Sequence, residues 1–390
     1  MARLSWHAQR EKVPVRSMKP ILFEEIETLA HEAAAHAEEI DVARALPDQL
    51  VANLKEAGLF RALIPQAFGG LEADFAEYVA MIQRLANADA STAWCVNQAA
   101  VIGLTSMWLP EQKIKEIWST ADTSVANGPP FDCHISRDGE GYRLSGHWGF
   151  SSGCQHAVWM MGVAKFAEGG YRIGYFRPSD VEFMDTWQVA GLRGTGSFEF
   201  KIEDLYLAED AVGDLAAAPT YDCVLTRVPN TLLFATSFAG VALGVAEAAM
   251  QDVVDIAQGK VPRFSAQAVR DDPDVQRFLG RATATFRGAQ AYLYSTIREV
   301  TDAVGQRGEI THEERGALRL AGTHVIQTCA EVVDTAYKIS GSTGIYQDHT
   351  LQRRFQDMHV ITQHVQGRET YFAAMGRYLL SGEYELGPMM

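Results

Sequence analysis

His364 and the serine pair Ser151-Ser152 are the side chains of this 390-residue sequence best suited to chemistry. An unperturbed imidazole titrates close to neutral pH, so His364 can pass a proton or hold one for a hydrogen bond. The serines lie in the string Phe150-Ser151-Ser152-Gly153-Cys154. Each hydroxyl there can donate and accept, although Ser-Gly strings also make ordinary turns. His359 precedes His364 by five positions, about 140° around a helix of 3.6 residues per turn. The two cannot face one metal ion, and His359 is expected at the surface or an interface. The string from Gly191 to Gly196 (GLRGTG) has the wrong glycine spacing for a dinucleotide loop and no following helix, so it predicts a turn entering a strand. Cys95, Cys133, Cys154, Cys223 and Cys329 stand singly, with no CxxC pair. They fit reduced thiols better than a disulfide frame or a zinc site.

Three zones of different periodicity must position these groups. From about residue 20 to 123 the pattern is helical, with breaks at Pro65 and Gly69-Gly70. From about 124 to 215 it alternates, as at Phe198, Phe200 and Ile202, with turn residues between runs. That predicts a small antiparallel β domain. From about 225 to 385 long helices return. Val275, Phe278, Ala282, Phe286, Ala289, Leu293, Ile297 and Val300 form one apolar stripe behind Asp272-Pro273, an N-cap followed by proline. Leu318, Ala321, Val325, Cys329, Val332 and Ala336 form a second, behind Thr311 and Glu314 at capping-box spacing. Helices with such faces belong in a bundle, and surplus apolar surface suits a partner subunit.

Bulk properties narrow the function classes. A net charge of −15 opposes nucleic-acid binding, which needs a basic face. Arg3, Arg10, Lys12 and Arg16 have no apolar run behind them, so no secretory signal is expected. No run approaching the ~20 apolar residues of a membrane span stands out. A cytoplasmic protein without membrane contact is the expectation.

Three longer strings carry a family resemblance. LKEAGLFRALIPQAFGGLEADFAEYVAMIQRLANADAST (Leu54 to Thr92) resembles the N-terminal helical segment of the acyl-CoA dehydrogenase superfamily. GLRGTGSFEFKIEDLYL (Gly191 to Leu207) resembles its β-domain strand, and ISGSTGIYQDHTLQRRFQDMHV (Ile339 to Val360) its last turn and long helix. The resemblance covers roughly residues 20 to 385 and implies an α+β fold: an N-terminal helical domain, a middle β domain and a C-terminal four-helix bundle.

Within that superfamily the departures matter. VANGPPFDC (Val125 to Cys133) replaces the dehydrogenases' Thr-Glu-Pro-type segment. The flavin loop reads Phe-Ser-Ser-Gly rather than Trp-Ile-Thr-Asn-Gly, and resembles that of the monooxygenases that oxidise phenols and aromatic heterocycles. Without gaps, the dehydrogenases' catalytic glutamate falls on Val365, which cannot take a proton from a thioester's α-carbon. His364 matches a histidine of the monooxygenase branch.

The resemblance therefore implies the oxygenase component of a two-component flavin-dependent monooxygenase. Reduced FAD or FMN would diffuse in from a separate NAD(P)H-flavin reductase, react with O2 to a C4a-hydroperoxide, and hydroxylate a small aromatic or heteroaromatic compound. By the same resemblance His364 and Ser152 are catalytic, and Phe150, Ser151 and Ser152 bind flavin. Arg263, Phe264 and Gln276 resemble the patches that hold the cofactor's pyrophosphate and adenine across a homotetramer interface. Trp94 and Asn97 would line the substrate side with Val365, although Trp94 suits plain core packing equally well. No second histidine follows in VNQAAVIGLTSM (Val96 to Met107), so the phenol-hydroxylase mechanism does not transfer whole. The alternatives are a flavin oxidase or dehydrogenase acting on a non-CoA substrate, and a silent scaffold of the same fold.

Overall fold

The structure is a computed structural model that describes residues 20–383. Arg3, Arg10, Lys12 and Arg16, and the last positions of the expected C-terminal domain, lie outside the described residues.

Helices come first: α1 (Pro20–Ala35), α2 (Ala37–Ala43), α3 (Asp48–Glu56), α4 (Phe75–Ala88), α5 (Ala90–Gly103) and α6 (Glu111–Ile117). Asp89 starts α5 by accepting the Thr92 N–H at 2.7 Å, an N-cap that satisfies one orphan donor of the first turn. All but one residue of α5 is buried, so this helix is wrapped on every side and carries Trp94 into the interior.

Among the described residues eight strands follow: β1 (Val125–Gly128), β2 (Pro130–Asp138), β3 (Gly141–Ser151), β4 (Trp159–Phe166), β5 (Tyr171–Phe176), β6 (Glu182–Met184), β7 (Phe198–Ala208) and β8 (Val212–Gly213). They order as β6-β7-β3-β2-β4-β5-β8, with β1 paired to β4. The expectation of an antiparallel domain needs correction, because β4 runs parallel to both β1 and β2. The chain turns at Ser152 after β3 and returns on the far side of β2, in the direction of β2 itself. Its own core centres on Trp148 and Phe200, stacked at 5.0 Å.

The remaining helices are α7 (Asn230–Gly259), α8 (Pro273–Arg307), α9 (His312–Ser340), α10 (Thr350–Gln363) and α11 (Thr370–Ser381). Local signals at their starts hold: Asp272 accepts the Asp274 N–H at 2.8 Å, and Thr311 and Glu314 close a reciprocal capping box. The second stripe is buried throughout, and so is the first from Ala282 onward. Its opening residues differ, since Phe278 is 42% exposed and Val275 half-buried. The reading of membrane spans also needs correction. By length and composition α7 could cross a membrane, yet nearly all of its apolar stretch is buried inside the fold.

Candidate active site

The pairing of β3 with β7 decides where Ser152 lies. Ser151 stands opposite Phe198 in the ladder. The next positions outward, Ser152 and Ser197, therefore come side by side, with hydroxyls 2.8 Å apart. Ser197 is 2.7 Å from the Thr195 hydroxyl, which donates to the Leu192 carbonyl at 2.7 Å. From α5, Trp94 donates its indole N–H to Ser152 Oγ at 3.1 Å. All four side chains are buried.

The turn carrying Ser152 is strained. Phe150 has a φ of 56°, in the left-handed region where a bulky residue is a genuine outlier, and such strain costs about 1–3 kcal/mol. Its ring is 56% exposed and meets Phe131 and Trp187 edge-on at 6.3 and 6.1 Å. Ser151 Oγ is buried without a hydrogen-bond partner.

His364 completes the cluster from the other end of the chain. The Trp94 ring lies against Phe238 of α7, with centroids 3.9 Å apart and planes at 24°. His364 meets both rings edge-on, at 5.2 Å from Trp94 and 4.8 Å from Phe238. Phe234 continues the stack one turn earlier on α7, 5.4 Å from Phe238.

The helical geometry expected around His364 is corrected. It is the cap beyond α10, with extended backbone, and Val365 opens a short 3-10 turn beside it. His359 points elsewhere and pairs with Asp334 at 3.0 Å. The expectation of an imidazole titrating near neutral pH is overturned as well. Burial among the rings, and then the charges of Arg319 and Arg368, push His364 down to about 4. The neutral ring's Nδ1 accepts the Gln366 N–H at 3.4 Å, which assigns its proton to Nε2.

The Gly191–Gly196 turn ties the site together. A Cβ on Gly191 would sit 2.4 Å from the Gln356 carbonyl on α10, and one on Gly194 would meet Ile40 of α2 at 2.0 Å. Only glycine lets the turn wedge between those helices. The Leu192 N–H donates to Asp357 of α10 at 2.7 Å, and the Leu192 carbonyl also accepts the Trp187 indole at 3.1 Å. Burial raises the Asp357 carboxyl to about 7. Sequence reasoning missed Thr195, Ser197, Phe234, Phe238 and Asp357.

Other expected residues make their contacts outside this cluster. Asn97 is fully buried, and its Oδ1 accepts the Tyr78 hydroxyl at 3.0 Å between α4 and α5. Its Nδ2 is buried without a hydrogen-bond partner. Arg263 lies over the Phe264 ring at 5.2 Å on the α7–α8 connection, and that ring is 98% exposed. Gln276 donates to the Arg270 carbonyl at 3.0 Å. These residues flank a cleft of about 540 Å³ lined by Pro262, Val269, Val275, Phe278 and Ile339.

The residues around Ser152 suit a flavin. A planar, polar-edged ring needs flat apolar neighbours and a few fixed polar atoms. Phe150 offers exposed ring surface, Ser151 an unsatisfied buried hydroxyl, and Ser152 a held hydroxyl beside Trp94.

The match to known proteins agrees with that chemistry. Residues 22–118 match the family described as acyl-CoA dehydrogenase, N-terminal domain, and residues 236–369 its C-terminal domain, together more than half of the chain. The chain belongs to the acyl-CoA dehydrogenase family, in its branch of flavin-dependent monooxygenase oxygenase components. The indole-3-acetate monooxygenase of Pseudomonas putida is 33% identical to it, over 85% of this chain and 87% of that protein. A flavin-dependent monooxygenase oxygenase subunit of Mycobacterium tuberculosis is 26% identical over 93% and 94%. In fold, the crystal structure of a 3-HSA hydroxylase from Rhodococcus matches with a TM-score of 0.88 at 23% identity, over 95% of this chain and 99% of that one.

Proposed function

We propose that this protein hydroxylates a small aromatic or heteroaromatic compound, using O2 and reduced FAD or FMN delivered by a separate NAD(P)H-flavin reductase. Indole-3-acetate is the first substrate to test, by similarity to the Pseudomonas relative. The observation that carries the reading is the convergence of Ser152, Trp94, Phe238 and His364, contributed by four distant parts of the chain, around one aromatic stack.

Reduced flavin, when bound, supplies the two electrons that let one oxygen atom of O2 enter the substrate while the other leaves as water. The chain's own residues do the rest. Phe150, Ser151 and Ser152 hold the flavin ring, with Arg263, Phe264 and Gln276 as the more distant contacts to the cofactor. Trp94, Phe238 and Phe234 present flat surface to an aromatic substrate and exclude water. His364, uncharged at neutral pH, offers its Nε2–H to the oxygen being transferred or to a substrate oxygen. Val365 stands beside it as an apolar wall where a dehydrogenase would need a carboxylate.

The exposed Phe264 and the open start of α8 support burial against a partner copy. We take the protein as cytoplasmic and, by the family resemblance, as a homotetramer. Light scattering checks this: a monomer at micromolar concentration that still binds flavin would remove the cross-subunit role of Arg263 and Phe264.

The functional test compares two mixtures. With reduced flavin and air, the protein should convert an aromatic acid of the indole-acetate class to a hydroxylated product. With oxidised flavin and no oxygen, the same substrate should leave the flavin oxidised. Anaerobic flavin reduction by substrate would instead identify an oxidase or dehydrogenase.

A further inference from the structure

The oxygen atoms behind Ser152 admit one arrangement of protons. Thr195 Oγ1 and the Leu192 carbonyl are 2.7 Å apart, too close for two oxygens with no hydrogen between them. A carbonyl has none to give, so Thr195 donates. Its only hydroxyl proton is then committed. The 2.7 Å contact between Thr195 and Ser197 must therefore be filled by the Ser197 proton, and the 2.8 Å contact between Ser197 and Ser152 by the Ser152 proton. Trp94 adds its N–H to Ser152 Oγ, since an indole only donates. Ser152 has thus given its one proton and filled one of its two lone pairs.

The anchor of this chain is firm. The Leu192 carbonyl also accepts the Thr195 N–H at 3.2 Å and the Trp187 indole, while the Leu192 N–H is held by Asp357. Leu192, Thr195 and Ser197 are all at most 2% exposed, so water does not compete for these bonds. Ser152 is the most accessible member of the hydroxyl chain, at 6%.

We infer that Thr195 and Ser197 are positioning residues that fix Ser152 Oγ as a hydrogen-bond acceptor toward the cofactor, so that the site selects reduced over oxidised flavin. The inference rests on the proposed function in placing flavin at Ser152. A reduced flavin ring carries an N–H at the position where the oxidised ring has a bare acceptor nitrogen. The remaining lone pair of Ser152 can receive that N–H, whereas against the oxidised ring two acceptors face each other. Selection of the reduced form then comes from the wiring behind Ser152 and does not require a change in pocket shape.

The test is anaerobic titration of the full chain with oxidised and with photoreduced FMN, in wild type, Ser197→Ala, Thr195→Val and Thr195→Ser. Wild type should bind the reduced form more tightly. Ser197→Ala releases the Ser152 proton to point at the flavin. The preference should fall about tenfold, the worth of roughly one net hydrogen bond, mainly through tighter binding of oxidised FMN. Thr195→Val should act in the same direction, because Ser197 is no longer obliged to donate to it. Thr195→Ser should restore the wild-type ratio, which a packing defect would not. An unchanged ratio in Ser197→Ala and Thr195→Val, or no redox preference in wild type, overturns the inference while leaving the flavin site in place. Failure of wild type to bind either form would overturn the functional reading itself, and the two failures are told apart by the wild-type titration alone.

Discussion

Trp94 and Ser152, 58 positions apart in the sequence, meet in one buried hydrogen bond of 3.1 Å from indole N–H to hydroxyl. The same indole stacks on Phe238. One side chain therefore both holds Ser152 and builds the aromatic wall.

Trp94→Phe separates those two tasks. The variant keeps a ring for Phe238 but loses the N–H. It should fold, bind flavin within about tenfold of wild type, and leak more hydrogen peroxide per reduced flavin consumed. Peroxide and product assays on the same sample check this. Wild-type coupling in Trp94→Phe would show that only its ring matters.

His364→Ala should keep fold and flavin binding but lose about 100- to 10,000-fold in product formation, the usual contribution of a positioned proton-bearing group. His364→Gln retains an N–H donor and should lose less. Steady-state product assays with a fixed supply of reduced flavin measure both. Near-normal turnover in His364→Ala would remove this residue from the mechanism.

The lowered pKa of His364 has a pH signature. Its value in the fold is about 4, against about 6.5 unfolded. Between those values the unfolded chain binds more protons, so stability contributed by the neutral ring is present above about 6.5 and is lost as pH falls toward 4. His156 is depressed in the same direction by burial. The Asp357 carboxyl, raised to about 7, works in the opposite direction and offsets part of this loss. The His364 share is read by comparison: between about pH 7.5 and about pH 5 wild type should lose more melting temperature than His364→Gln. Product formation should show no histidine inflection near 6.5.

Much of this was legible in the sequence, and the remainder was not for identifiable reasons. The stripe and cap of α8 and the capping box of α9 are local features, and the Phe-Ser-Ser-Gly string is contiguous. Phe238 was hidden because α7 is apolar around nearly its whole circumference, so periodicity selects no face. Thr195 lies in the string read as a turn and Ser197 just beyond it, and nothing marks either until the β3–β7 register sets them beside Ser152. The contact of Leu192 with Asp357 spans 165 positions and has no local signature. Asn97 was placed with Trp94 by family analogy, and the hydrogen bond it accepts from Tyr78 of α4 has no local signature.

Gly191→Ala tests the wedge between the turn and α10. The added methyl would meet backbone, which cannot swing aside as a side chain can. We expect a loss of about 1–3 kcal/mol, typical of overpacking, read by urea melts. A neutral substitution would mean that the turn can withdraw from α10 at no cost. Gly139, with nothing near its Cβ position, is the control for close packing, although its φ of 58° adds local strain of its own.

Isotope labelling tests the oxygenase assignment most directly. The protein, reduced flavin and an aromatic acid of the indole-acetate class are mixed under 18O2 in ordinary water, and the product is weighed by mass spectrometry. One 18O atom per hydroxylated product, in amounts that track the reduced flavin consumed, is the expected result. Product oxygen drawn from water, or substrate oxidised with no oxygen gained, would contradict it and identify a dehydrogenase or oxidase on this fold.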